Sequence, residues 1–228
     1  MEFFVVAMQK GGFFMWPILV ASIFALAISF ERVYYVMFRA NINGVAFMAQ
    51  IQKLIMANNI DRAIKLCNAE PNSALPRVLK AGLTRATRTE GEIQNAVDES
   101  ILEVYPKLNR RTPFLPMLAN VATLLGLLGT IQGLIMAFEA VAHASAETKQ
   151  TLLASGISTA MYTTAAGLGV AIPVLVVHSI LQSRTVKIQD EIDQFALKTV
   201  NLLAARRRGT LKDDTGGTTK DEAAAAGA

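Results

Sequence analysis

The sequence predicts an all-α integral membrane protein with three transmembrane helices and long helices extending into the cytoplasm. The first reason is composition. The chain is 52% hydrophobic and only 18% charged, with a mean hydropathy of +0.36, whereas soluble domains carry roughly 25% charged residues. The second is run length: residues 13–30, 117–138 and 156–181 contain no Asp, Glu, Lys or Arg, and about 20 helical residues cross a hydrocarbon layer of ~30 Å. A single such charge at a helix centre costs roughly 2.5–3.5 kcal/mol even on lenient insertion scales, so three clean runs carry weight. The third is charge placement. Eleven Lys and Arg lie between residues 38 and 112 and eight from residue 184 onward, against Lys10 alone before the first run and Lys149 alone between residues 143 and 155. Positive residues stay inside, so the N-terminus and the short loop face outward and the long middle segment and C-terminal tail face the cytoplasm.

In order along the chain, residues 1–12 form an outer N-terminal segment, and 13–37 the first span with its cytoplasmic end, closing at Glu31 and Arg32. Ala25 and Ala27 give this run a small-x-small pattern that a cleaved signal peptide would also show. Against that reading, the run is longer than a signal core and only Lys10 precedes it. Residues 38–116 read as a helical cytoplasmic domain, with Asp61 as a cap and Pro71 and Pro76 marking breaks between short amphipathic helices. Within it, Thr89 and Glu92 have the spacing of a capping box, and Ile93, Val97, Ile101, Val104 and Leu108 follow at helical spacing toward the second span. Pro106 falls inside that pattern and predicts a bend. The second span is 117–138, the outer loop 139–155, and the third span 156–183. Ile188, Ile192, Phe195 and Leu202 then extend an apolar stripe through a cytoplasmic helix at 184–208, and the Thr, Gly, Asp and Ala composition of 209–228 predicts disorder.

Several function classes find no support. His143 and His178 lie far apart with no Cys or carboxylate at metal spacing, and no phosphate loop or nucleophile motif occurs, so the sequence offers no catalytic site and calls for no cofactor or metal. The net charge of +4 and pI near 9.3 come from mixed-charge segments without interleaved aromatics, which fits orientation and contact with lipid headgroups rather than nucleic acid. Arg206, Arg207 and Arg208 could touch anionic lipid or form a solvated helix end. The lone Cys67 has no internal partner and reads as a small buried residue.

The informative residues are in the membrane. Ala119, Ala122, Gly126, Gly129, Thr130, Gly133 and Ala137 are spaced by three and four, and Gly156, Thr159, Ala160, Thr163, Thr164, Gly167 and Ala171, then Pro173, repeat the design. Small faces let helices approach where lipid supplies no hydrophobic drive, so Gly126, Gly129, Gly133, Gly156, Gly167 and Pro173 are assigned to helix packing. Hydroxyls recur beside them: Thr123, Thr130, Ser158, Thr159, Thr163 and Thr164. The two helices run antiparallel across a short loop, which brings Thr130 to roughly the depth of Thr164, and Thr130, Thr159, Thr163 and Thr164 are candidates to line a polar pathway. The competing reading is that such threonines bond their own backbone. Hydroxyls orient water but do not hold a proton near neutral pH. If protons cross here, the ionisable group must come from a second polypeptide. Glu139 stands at the outer mouth, where it could attract cations or simply be wetted.

The stretches NVATLLGLLGTIQGLIMAF (120–138) and GISTAMYTTAAGLGVAIP (156–173), with GGFFMWPIL and ERVYY around the first span, resemble the MotA/TolQ/ExbB proton-channel family over roughly residues 11–205. The three-span layout favours the ExbB and TolQ branch. The resemblance implies a bacterial inner-membrane protein with a periplasmic N-terminus and a cytoplasmic C-terminus. It further implies a homo-oligomer, a pentamer in ExbB-like proteins, around an ExbD- or TolR-like single-span partner that brings a membrane Asp. Energised work on a TonB- or TolA-like protein would follow, in TonB-dependent transport, the Tol-Pal system or gliding. Family threonines that matter to proton passage carry over to Thr130 and Thr164, and Pro173 matches an Ala-Ile-Pro. Thr159 stands where relatives often have an acidic residue. The alternative function is a self-sufficient homo-oligomeric channel or a structural membrane scaffold, which would need no partner.

Overall fold

A computed structural model describes the backbone of residues 12–39 and 42–225 and the side chains of 12–37 and 42–209. The expected outer segment 1–12 therefore lies, Gly12 apart, outside the described residues, as does 226–228 of the tail. Helix α1 spans Met15–Tyr34 and passes into a π turn at Tyr35–Arg39. There follow α2 (Gly44–Met56), α3 (Ile60–Ala69), α4 (Ala74–Thr84), α5 (Glu90–Asn109), α6 (Phe114–Ala142) and α7 (Lys149–Ala225). No strand occurs among the described residues. Three helical stretches, Met15–Met37, Glu90–Ala142 and Lys149–Gly209, are long and apolar enough to cross a membrane.

The residues form two compact units, each with its own core. One contains α1, α6 and α7 as far as Ser183. In it α1 packs against α6, burying Met15, Ile18, Ala21, Ala25, Ser29 and Arg32, a stripe spaced by three and four residues. Phe24, Phe30, Leu124 and Met136 stay exposed. In water such surface would be a liability, but hydrocarbon or a neighbouring apolar helix is its natural solvent. The Arg111 guanidinium meets the Glu31 carboxylate at 2.5 Å, tying the end of α1 to the approach to α6.

The other unit contains Tyr35–Asn109 and the chain from Arg184. Its core is built from Met48, Ile51 and Ile55 of α2, Val78, Leu79 and Leu83 of α4, Ile93, Val97, Val104 and Leu108 of α5, and Ile192 and Phe195 of α7. The far part of α7 thus completes a core that the short helices alone would leave open. Thr89 and Glu92 form the expected capping box: Thr89 N–H and Oγ1 donate to Glu92 Oε2 at 2.9 and 2.8 Å, and Glu92 N–H returns a bond to Thr89 Oγ1. These bonds hold the Glu92 carboxyl below its ordinary range. Cys67 is buried, and burial pushes its thiol up to about 11, which keeps it protonated and unreactive.

Two readings of this region need correction. Asp61 lies inside the first turn of α3, whose N-cap is Asn59. There its charge still suits the helix dipole, but it caps nothing. Pro76 does not break a helix: it occupies the third position of α4, where the missing N–H would have no intrahelical acceptor in any case. In the arginine triplet, Arg206 donates to Asn58 Oδ1, and the exposed Arg207 and Arg208 donate to the Arg88 and Ala204 carbonyls. Pro71 does separate α3 from α4, and α5 continues through Pro106 to end at Asn109. Helix α7 continues to Ala225, past Gly209, where composition predicts disorder.

Candidate functional site

The candidate site is the seam between α6 and α7. Its buried side on α6 is Ala119, Ala122, Gly126, Gly129, Gly133 and Ala137, and on α7 Ala160, Thr163, Gly167 and Ala171. The glycines are required by proximity. A Cβ on Gly129 would lie 2.8 Å from both Cβ and Oγ1 of Thr163, and one on Gly167 would lie 2.6 Å from the Ala122 carbonyl oxygen. Gly156 would clash with Ala137, while Gly126 faces Thr163 and Thr164, and Gly133 faces Ala160. Pro173 stands on the exposed side of α7.

This register fixes where each hydroxyl goes. Gly129 opposes Thr163; one step along each antiparallel helix, Thr130 and Thr164 differ in depth by about 3 Å at a rise of 1.5 Å per residue. Each residue turns about 100°, which puts Thr130 and Thr164 on the same flank of the seam and Thr159 on the other. Thr159 Cγ2 there lies 3.8 Å from the position a Cβ on Gly12 would take. Thr163 is 1% exposed and fills the seam itself. The four threonines therefore do not share one surface. Thr130 and Thr164 are together, Thr163 is behind them, and Thr159 faces the start of the first span.

The hydroxyls are mostly spent on local carbonyls. Thr123 donates to Ala119 at 3.0 Å, Thr130 to Leu127 at 2.6 Å, Thr159 to Ser155 at 3.1 Å and Thr163 to Ala160 at 2.8 Å. Thr164 differs, for its Oγ1 crosses the seam to the Gly126 carbonyl at 3.4 Å. Gly126 permits this because it has no side chain to hold the helices apart.

Sequence reasoning missed two further features. Asn120 and Thr123 are exposed on α6 on the flank shared by Thr130, giving a polar strip that opens away from the protomer. The signal was present in their spacing of three and seven residues, but the small-residue stripe beside it dominated the pattern. Near the start of α6, Thr112 Oγ1, and on α1 Ser29 Oγ, are buried without a hydrogen-bond partner among the described residues, and neither stands in a motif.

Residues 70–194, more than half of the chain, match the MotA/TolQ/ExbB proton channel family. The chain belongs to that family. The matched stretch contains all of α6 and the seam-forming part of α7. Among relatives of this MotA/TolQ/ExbB chain, the biopolymer transport protein ExbB-like 1 of Synechocystis is 30% identical over 193 residues, covering 82% of this chain and 72% of the relative. The biopolymer transport protein exbB1 of Vibrio cholerae is 28% identical over 167 residues, 72% of this chain and 73% of the relative. The Tol-Pal system protein TolQ of Haemophilus influenzae is 38% identical over 88 residues, 39% of this chain and 38% of the relative. The family member described here is accordingly a membrane protein of the ExbB/TolQ-like branch, a proton-channel-type subunit of membrane energy transduction.

Proposed function

We propose that this chain is the channel and stator subunit of an ExbB/TolQ-like inner-membrane motor, coupling proton motive force to energised work at the cell envelope through TonB-dependent transport, the Tol-Pal system or gliding. One observation carries the reading. In a chain of a proton-channel family, the three apolar runs hold hydroxyls and amides but no Asp, Glu, Lys or Arg. The polar strip of Asn120, Thr123, Thr130 and Thr164 can orient water and a visiting group, and a partner must bring the group that carries the proton. An ExbD- or TolR-like single-span protein with a membrane Asp fits that need, enclosed by a homo-oligomer of this chain, a pentamer by family likeness, and acting on a TonB- or TolA-like protein.

In this scheme Thr130 and Thr164 line the path, Thr163 spaces the helices behind them, and Thr159 belongs to the packing against the first span. Each proton descending the membrane potential releases about 2.3 kcal/mol per 100 mV. The test is proton flux into liposomes holding the purified chain alone or with the single-span protein encoded beside it. Flux only with the partner, lost when its membrane Asp becomes Asn, supports the motor. Full flux from the chain alone would leave a self-sufficient channel, and no flux in either case a structural scaffold.

A further inference from the structure

The unit built from α2 to α5 contains a cavity of about 140 Å³ between the start of α4 and the end of α5. Its polar lining is Tyr35, Asn72, Ser73, Arg77 and Lys107, set against the apolar wall of Val104, and no carboxylate lines it. Ser73 is the N-cap of α4 and is 4% exposed, yet its side chain makes no capping bond. A capping serine accepts from the second or third helical N–H; the third position here is Pro76, which has none, and the second, Leu75, is not used by the Ser73 side chain.

The hydroxyl is thus left buried and turned to the cavity. The N–H groups of Ala74 and Leu75 have no intrahelical acceptor, and no backbone carbonyl outside the helix accepts from them. The positive end of the helix dipole points the same way. Arg77 adds a guanidinium that forms no ion pair among the described residues; Arg77 and Lys107 also line a neighbouring cavity that Glu99 and Glu103 share. A cavity at the start of α2, lined by Arg184 and Lys187, differs because Glu191 shares it, and a carboxylate there opposes an anion.

We propose that the cavity at Ser73 is a binding site for a phosphate-class oxyanion, either a phosphodiester or a phosphomonoester. Ser73 Oγ and the first amides of α4 donate to its oxygens, and Arg77 supplies the positive charge. Tyr35 directly follows the last residue of α1, and Lys107 and Leu108 lie within seven residues of the start of α6. A phospholipid headgroup is one source of this chemistry and dissolved phosphate the other.

The purified full chain would be studied by native mass spectrometry after extraction from phosphatidylcholine nanodiscs with and without phosphatidylglycerol. In parallel, its thermal midpoint would be measured in neutral detergent with inorganic phosphate against chloride at equal ionic strength. Arg77→Gln and Ser73→Ala are the test variants, and Arg85→Gln, outside the lining, is the control. Retained phosphatidylglycerol whose occupancy falls about tenfold in Arg77→Gln, the size of one charge-assisted hydrogen bond, with the control unchanged, supports the site with a lipid source. A phosphate-specific rise in midpoint that both test variants abolish supports it with a free phosphate source. Absence of both effects, or equal loss in the control, overturns the proposal.

Discussion

Thr164 reaches the Gly126 carbonyl across the seam because neither residue brings bulk to the contact. Thr164→Val keeps the shape and removes the hydroxyl, at a cost of about 1 kcal/mol if only that bond matters. The expected outcome is loss of energised work with an unchanged oligomer by native mass spectrometry, whereas Thr164→Ser should retain function; a fully active valine variant would remove Thr164 from the pathway. Gly129→Val addresses the seam instead. With Thr163 already 2.8 Å from the added carbon, overpacking of about 1–3 kcal/mol should lower the thermal midpoint in detergent. At this scale the small faces were legible, because size and spacing show directly in sequence. The division among Thr130, Thr159, Thr163 and Thr164 was not, since flank and seam differ only by the rotational phase of two helices against each other.

Among the elements, α5 owes its start to the Thr89–Glu92 box. Glu92 has its carboxyl pKa lowered in the folded chain from the ordinary 4.5. The stabilisation is therefore complete above 4.5 and disappears as pH falls through the lower folded value. The difference in thermal midpoint between the native chain and Glu92→Gln should be widest near neutral pH and close under acid, in a titration followed by circular dichroism. A gap independent of pH would assign the effect to something other than ionisation. This box was legible because it is local. Pro76 and Asp61 were misread because a proline or an acid in a first turn has nearly the sequence signature of a break or a cap, and only the position of the first helical residue separates the cases.

For the whole molecule, three apolar runs and a charge asymmetry were enough to anticipate a three-span helical protein. What a single sequence lacks is the neighbour. Asn120 and Gln132 are exposed on α6, and an amide facing hydrocarbon is costly enough that another chain or water should cover each. Under the proposed function, native mass spectrometry of the chain with a single-span ExbD- or TolR-like protein should therefore show a closed homo-oligomer that captures fewer partner copies than its own. A monomer that excludes every partner would contradict the motor. Orientation is checked separately, in a Cys67→Ala background: Ser145→Cys should react with an impermeant maleimide from outside and Asn72→Cys only after lysis. The reverse pattern would invert the topology.

The back-bonded threonines also decide what kind of guest the strip welcomes. A hydroxyl has one hydrogen to give and two lone pairs to offer; in Thr123 and Thr130 the hydrogen is already committed to a carbonyl of the same helix, and in Thr164 to the Gly126 carbonyl. What remains facing outward is electron-rich oxygen. Those three oxygens solvate hydronium or the O–H of a neutral carboxylic acid, and only the Asn120 amide in the strip has hydrogens to give to a carboxylate or chloride. An Asp side chain passing along it would therefore meet acceptors for its O–H at three points and a donor for its carboxylate at one.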